Sequence, residues 1–154
     1  VMLGGVLLSM FIELGTLVWF GHLSDRIGRR AVYLIGSAGL VLVVFPFFWL
    51  VQTKEPVWIF LAFFLGNTIC HAAMIGTQPA YFAELFPPEV RYTGLALGHE
   101  LASVFAGGLS PLIAMALLRK YESATPVAWF LVGMAAITVI TLLLTREPAR
   151  QASA

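Results

Sequence analysis

The chain has 154 residues, of which 60% are hydrophobic and 11% charged, with nine Lys+Arg against eight Asp+Glu. A water-soluble domain carries roughly a quarter charged residues, so this composition places the chain in lipid. A net charge of +1 without a basic stripe argues against nucleic acid as a partner, and the single cysteine, Cys70, excludes an internal disulfide and a cysteine-based zinc site.

A helix that crosses a membrane needs about 20 apolar residues. Five runs meet that length, at about 1–20, 31–51, 57–85, 94–118 and 125–145. The first is interrupted only by Glu13. It has no charged leading segment and no small-residue cleavage site, so it reads as a span and not as a signal peptide. The third is longer than one crossing requires and is expected to bend or break near Pro79, which deprives the carbonyl near Ile75 of its helical donor. The fourth is punctuated by Gly94 and Gly98, whose spacing lets helices approach, and by Gly107 and Gly108 ahead of Pro111, where a bend is expected. No run alternates polar and apolar residues, so a membrane barrel is not expected. Trp19, Trp49, Trp58 and Trp129 fall near the expected helix ends, where an interfacial belt places them. Strict alternation of short linkers puts Arg26, Arg29, Arg30, Arg91, Arg146 and Arg150 on one side and Lys54, Arg119 and Lys120 on the other. The richer side is expected to be cytoplasmic, together with the polar tail 146–154.

Between the first two runs stands the most polar decapeptide, Gly21-His22-Leu23-Ser24-Asp25-Arg26-Ile27-Gly28-Arg29-Arg30. It reads as a tight hairpin. Gly21 and Gly28 supply positions where helix ends approach closely or the backbone takes positive φ. Asp25 can accept from a helix N-terminus or a guanidinium. These residues resemble the signature loop of the major facilitator superfamily, G-x-L-(S/A)-D-R-x-G-R-(R/K), at every defined position. A second stretch, from Pro79-Ala80-Tyr81-Phe82 through Glu84 and Arg91-Tyr92-Thr93-Gly94 to Gly107-Gly108-Leu109-Ser110-Pro111, looks like the metabolite:proton symporter family within it. The resemblance implies an all-α, polytopic helix bundle in which the five spans are helices eight to twelve, so that the amino-terminal half of the transporter is the missing partner. It further implies a cytoplasmic gating network of Gly21, Asp25, Arg26, Gly28, Arg29, Arg30, Glu84 and Arg91. Arginine–carboxylate forks are directional enough to hold one packing and release another. Solvated topological charges are the plainer alternative.

Inside the spans, ionisable groups are costly and normally face a cavity or a partner. Glu13 shares a helical face with Gly5, Ser9 and Thr16; Glu100 shares one with Ser103, Gly107 and Ser110. A carboxyl in a partly dry cavity can take up and release a proton, so both are candidates for proton coupling; the alternative is a hydrogen-bonded structural carboxyl. Asn67, His71, Met74 and Gln78 recur at helical spacing on the third span. Asn67, His71 and Gln78 are the candidate substrate-cavity residues, with cross-helix hydrogen bonding as the alternative. His22, His71 and His99 show no metal-ligand spacing, and no catalytic or nucleotide-binding motif is present, so neither a metal, a cofactor nor an enzyme activity is expected. The expectation is a multi-pass plasma (inner) membrane protein, part of a secondary transporter that moves a small polar metabolite, a carboxylate or a zwitterion, with protons by alternating access. The alternative is a non-transporting truncated membrane protein or a partner-binding membrane subunit.

Overall fold

The structure is a computed structural model that describes residues 2–145. Val1 and the expected tail 146–154, with Arg146 and Arg150, lie outside the described residues. Five helices are long and apolar enough to cross a membrane: the first span Met2–Ile27, the second Arg29–Gln52, the third Pro56–Leu85, the fourth Arg91–Tyr121 and the fifth Thr125–Leu144. No strand occurs among the described residues. The chain is therefore an all-α bundle of the kind expected.

The first two spans meet at a single residue. The helix does not stop at Phe20 but continues through His22, Leu23, Ser24, Asp25 and Arg26 to Ile27, so most of the expected hairpin loop is helical. Nothing before Gly28 breaks a helix, and Ser24 satisfies its hydroxyl locally by donating to the Gly21 carbonyl at 2.7 Å. Gly28 adopts φ 105° and ψ 135°, a conformation that favours glycine. Its N–H closes the first helix on the Ser24 carbonyl at 3.0 Å, and its own carbonyl accepts from the Val32 N–H at 3.2 Å.

The second span is the hub, touching the first, third and fifth; the third also packs along the first. Small residues form these seams. Ser9, Ser37, Ala62, Thr68, Ala72, Ala73 and Thr77 are buried, while Phe11 and Leu42 remain 77% and 75% exposed. Lipid is as apolar as leucine, so large side chains gain little by turning inward and close backbone contact holds the helices together instead. A Cβ on Gly36 would come within 2.9 Å of the Cys70 carbonyl, and one on Gly76 within 2.8 Å of the Leu17 carbonyl. Buried hydroxyls bond back to their own helices, as in Ser37 to the Leu34 carbonyl at 3.1 Å and Thr77 to the Ala73 carbonyl at 2.8 Å. Thr68 crosses to the first span, donating to the Ser9 carbonyl at 3.1 Å.

The third span stays helical through Pro79, contrary to a break there. Its irregularity lies at Phe64–His71, which winds as a π-helix, and the fourth span has a matching segment at Ser103–Leu109, just ahead of Pro111. The fourth span differs from the rest: none of its residues is buried, and it meets the third and fifth only towards its two ends.

Candidate functional site

Two constellations stand out, one at the end of the bundle that carries Gly28 and one inside it. At the end, Arg29 begins the second span and reaches across to the third. Its Nη1 donates to Glu84 Oε1 at 2.6 Å and to the Ala80 carbonyl at 3.3 Å, and its Nη2 to Asp25 Oδ1 at 3.2 Å. One guanidinium thus ties the last turn of the first span to that of the third. The helical course of residues 21–27 matters here, because it sets Asp25 four positions before Arg29 with only Gly28 turning the chain. Beneath this triad the Tyr33 and Tyr81 rings stack at 6.0 Å and Phe82 meets Tyr33 edge-on at 5.9 Å, with Leu142 of the fifth span completing the cluster. The carboxylates of the triad are well exposed, with side chains 60% accessible for Asp25 and 42% for Glu84. Exposed ion pairs of this kind contribute about 0–1 kcal/mol each. That is too little to hold the bundle together, and enough to bias two packings that are nearly equal in free energy.

Other residues of the signature have different partners. Gly21 lies at the crossing of the first and third spans, where a Cβ would sit 3.7 Å from the Gly76 carbonyl. Arg30, adjacent to Arg29, turns to the fifth span and donates to the Leu142 and Leu143 carbonyls at 2.8 and 3.0 Å. Arg91 donates to the Phe86 carbonyl at 3.4 Å within its own linker. Arg26 is exposed on the last turn of the first span.

Inside the bundle, Glu13 of the first span and His71 of the third meet: Nδ1 lies 2.6 Å from Oε1. A nitrogen and an oxygen so close must share a proton, held either by an imidazole facing a carboxylate or by a carboxylic acid facing an imidazole. The Glu13 side chain is 11% accessible and that of His71 54%, so the carboxyl is shielded and the imidazole is open on its far side. The π-helical segment ends at His71, and Thr68 within it holds the Ser9 carbonyl one turn earlier on the first span. Glu13 and His71 were separate candidates in the sequence, one for protons and one for substrate; they form one unit here. Asn67 and Gln78 are half-buried on the same span. Glu100 stands apart on the unpacked fourth span, exposed, with His99 Nδ1 at 3.8 Å. No group of three or more metal-ligating side chains gathers among the described residues.

Sequence reasoning missed two contacts, Glu13 with His71 and Arg30 with the fifth span. Both join residues far apart in the chain, and only the identities of the partners were visible. The Gly76 crossing had a signal, a glycine one helical turn from buried small residues.

A bundle of long apolar helices with a cluster of ion pairs at one end and a carboxyl–imidazole contact inside belongs among the polytopic membrane proteins. The sequence matches the Major Facilitator Superfamily over residues 2–154, and the chain belongs to that family. Curated relatives include the shikimate transporter of Escherichia coli, 34% identical across 92% of this chain and 35% of that protein. The proline/betaine transporter of Escherichia coli is 31% identical across 96% of this chain and 30% of that protein. The glycine betaine/proline/ectoine/pipecolic acid transporter of Dickeya dadantii is 33% identical over the same shares, 96% and 30%. The chain thus spans about a third of the length of these relatives. No solved structure matches it.

Proposed function

We propose that this chain is part of a secondary transporter of the inner membrane that carries a small carboxylate or zwitterion together with protons by alternating access. The observation that carries the reading is the 2.6 Å contact between Glu13 Oε1 and His71 Nδ1. A shielded carboxyl is expensive to leave charged and alone in a membrane. Paired with an imidazole on another helix, it has two ways to hold a proton, and each suits a different spacing of the two spans. Proton uptake and helix movement are then coupled through one contact. The relatives support the cargo class, since those named above transport shikimate, proline or betaines.

In this reading Arg29 is the latch, joining the first and third spans at the cytoplasmic face in one conformation and parting from Glu84 in the other. Gly21 and Gly28 let the helix ends come close enough for the latch to form, and Arg26, Arg30 and Arg91 keep this face, and with it the C-terminus, in the cytoplasm. Asn67, His71 and Gln78 contribute to the wall of the route, and the amino-terminal half of the transporter supplies the opposite wall. Glu100, on a span without buried residues, is a second proton candidate that would act only when that wall is in place.

The test uses the whole polypeptide in sealed vesicles with an imposed pH gradient and labelled shikimate, proline and betaine as probes. Glu13→Gln is expected to abolish gradient-driven accumulation while leaving downhill exchange intact. Undiminished accumulation in that variant would overturn the coupling assignment. Asp25→Asn is expected to reduce the rate of uptake through loss of the latch, with accumulation still dependent on the gradient.

A further inference from the structure

Arg29 and Arg30 are neighbours in the chain, yet their acceptors differ in kind. Arg29 meets two carboxylates, which titrate, and one carbonyl. The recorded acceptors of Arg30 are both backbone carbonyls, Leu142 from Nε at 2.8 Å and Leu143 from Nη2 at 3.0 Å. These belong to the last turn of the fifth span, where helical carbonyls have no partner of their own. That helix carries no basic residue in its last turn and ends in extended backbone at Thr145, φ −76° and ψ 127°, with no left-handed glycine cap. Thr145 covers one carbonyl, that of Thr141, through its N–H at 2.9 Å and its hydroxyl at 2.6 Å. The next two are covered by a side chain more than a hundred residues away in sequence.

We propose that Arg30 is a positioning residue, a helix cap supplied in trans that fixes the inner end of the fifth span against the start of the second, independently of the Arg29 latch. The physical basis is threefold. A guanidinium presents several donors in a rigid fork, so one side chain can satisfy two successive carbonyls. A cation at a helix C-terminus is favoured by the helix dipole. At a membrane boundary an uncapped carbonyl is dearer than in water, so the cap contributes most where the helix leaves lipid. Carbonyl acceptors carry no charge to lose, and none of them is shared with Arg29, so the contact does not depend on the carboxylates of the latch. The second and fifth spans then stay paired while the first and third rearrange. This assignment stands on the geometry alone and does not require that the chain transport anything.

The experiment is amide hydrogen exchange on this chain in lipid nanodiscs, comparing wild type, Arg30→Gln, Arg30→Lys and Arg29→Gln. Arg30→Gln is expected to speed exchange at Leu143, Leu144 and Thr145 by roughly fivefold to tenfold, the scale of a lost helix cap. Arg30→Lys keeps the charge but not the fork, and is expected to fall between. Arg29→Gln is expected to leave those amides unchanged and to loosen the end of the third span near Glu84. A discriminating readout is pH. The Arg30→Gln to wild-type ratio is expected to hold constant from about pH 8 to about pH 5, because both acceptors are uncharged backbone carbonyls. Should Arg30→Gln fail to insert, Arg30→Lys carries the test, because it retains the topological charge. Unchanged exchange at Leu143–Thr145 in either Arg30 variant, the same change in Arg29→Gln, or a ratio that collapses at low pH would overturn the proposal.

Discussion

Gly28 holds a backbone conformation that a Cβ would strain, with φ 105° and ψ 135°. Gly28→Ala is expected to lower stability by about 1–3 kcal/mol, read as a fall in the thermal unfolding midpoint of the chain in detergent. Gly21 meets the other requirement of its motif, close approach of helices, so the two glycines divide the two reasons glycine was expected there. The residues of the latch were legible in the same way. Asp25, Arg29 and Glu84 were implied by the family resemblance of the two stretches that hold them, and the structure brings those three together around one guanidinium. Arg91, named on the same grounds, bonds inside its own linker instead. Charge and motif identify the members of such a cluster; which member reaches which depends on helix direction, and about two extra helical turns in the first span set that here. Glu13 and His71 were legible as polar residues in lipid, but not as a pair, since a contact across 58 positions leaves no mark on either local pattern.

At the scale of the helix, apolar run length located all five spans, but not all of their ends: the first runs on to Ile27 and the fourth from Arg91 to Tyr121, because polar residues at a helix end do not stop it. Pitch was not legible. Regular α spacing was assumed along the third span, whereas Phe64–His71 winds more widely. A π turn needs one more residue than an α turn and has no compositional signature, so the face presented by Asn67 relative to His71 and Gln78 cannot be read by counting fours. The seams between helices carry their own prediction. A methyl on Gly76 would press on the Leu17 backbone at 2.8 Å, and backbone cannot give way cheaply. Gly76→Ala is expected to destabilise the bundle by about 1–3 kcal/mol. Gly133→Ala, where a Cβ meets nothing within 4 Å, is expected to be neutral or to stabilise by up to about 1 kcal/mol through helix propensity. Unfolding midpoints of the two variants in one detergent check the contrast.

At the scale of the molecule, four spans pack along one another, whereas the fourth meets the third and fifth only towards its two ends and buries none of its residues. The chain spans about a third of the length of its relatives, and in the proposed reading the rest of the transporter covers the fourth span. A spin label at Val104→Cys is therefore expected to be mobile in this chain and immobilised in the whole polypeptide; equal line shapes in the two would show that this span has no further partner. The small gain from each exposed ion pair also belongs to this scale. Buried small residues make the seams and the ion pairs are exposed, so in the proposed reading variants of Asp25, Arg29 or Glu84 are expected to alter transport rates without unfolding the bundle. Finally, a corner made of one residue leaves no slack. Gly28 terminates one helix with its N–H and opens the next with its carbonyl, so the adjoining ends of the two spans move together and only their far ends can swing apart. Whatever shifts the foot of one is felt at once by the foot of the other, with Arg26, Arg29 and Arg30 riding on the shared pivot.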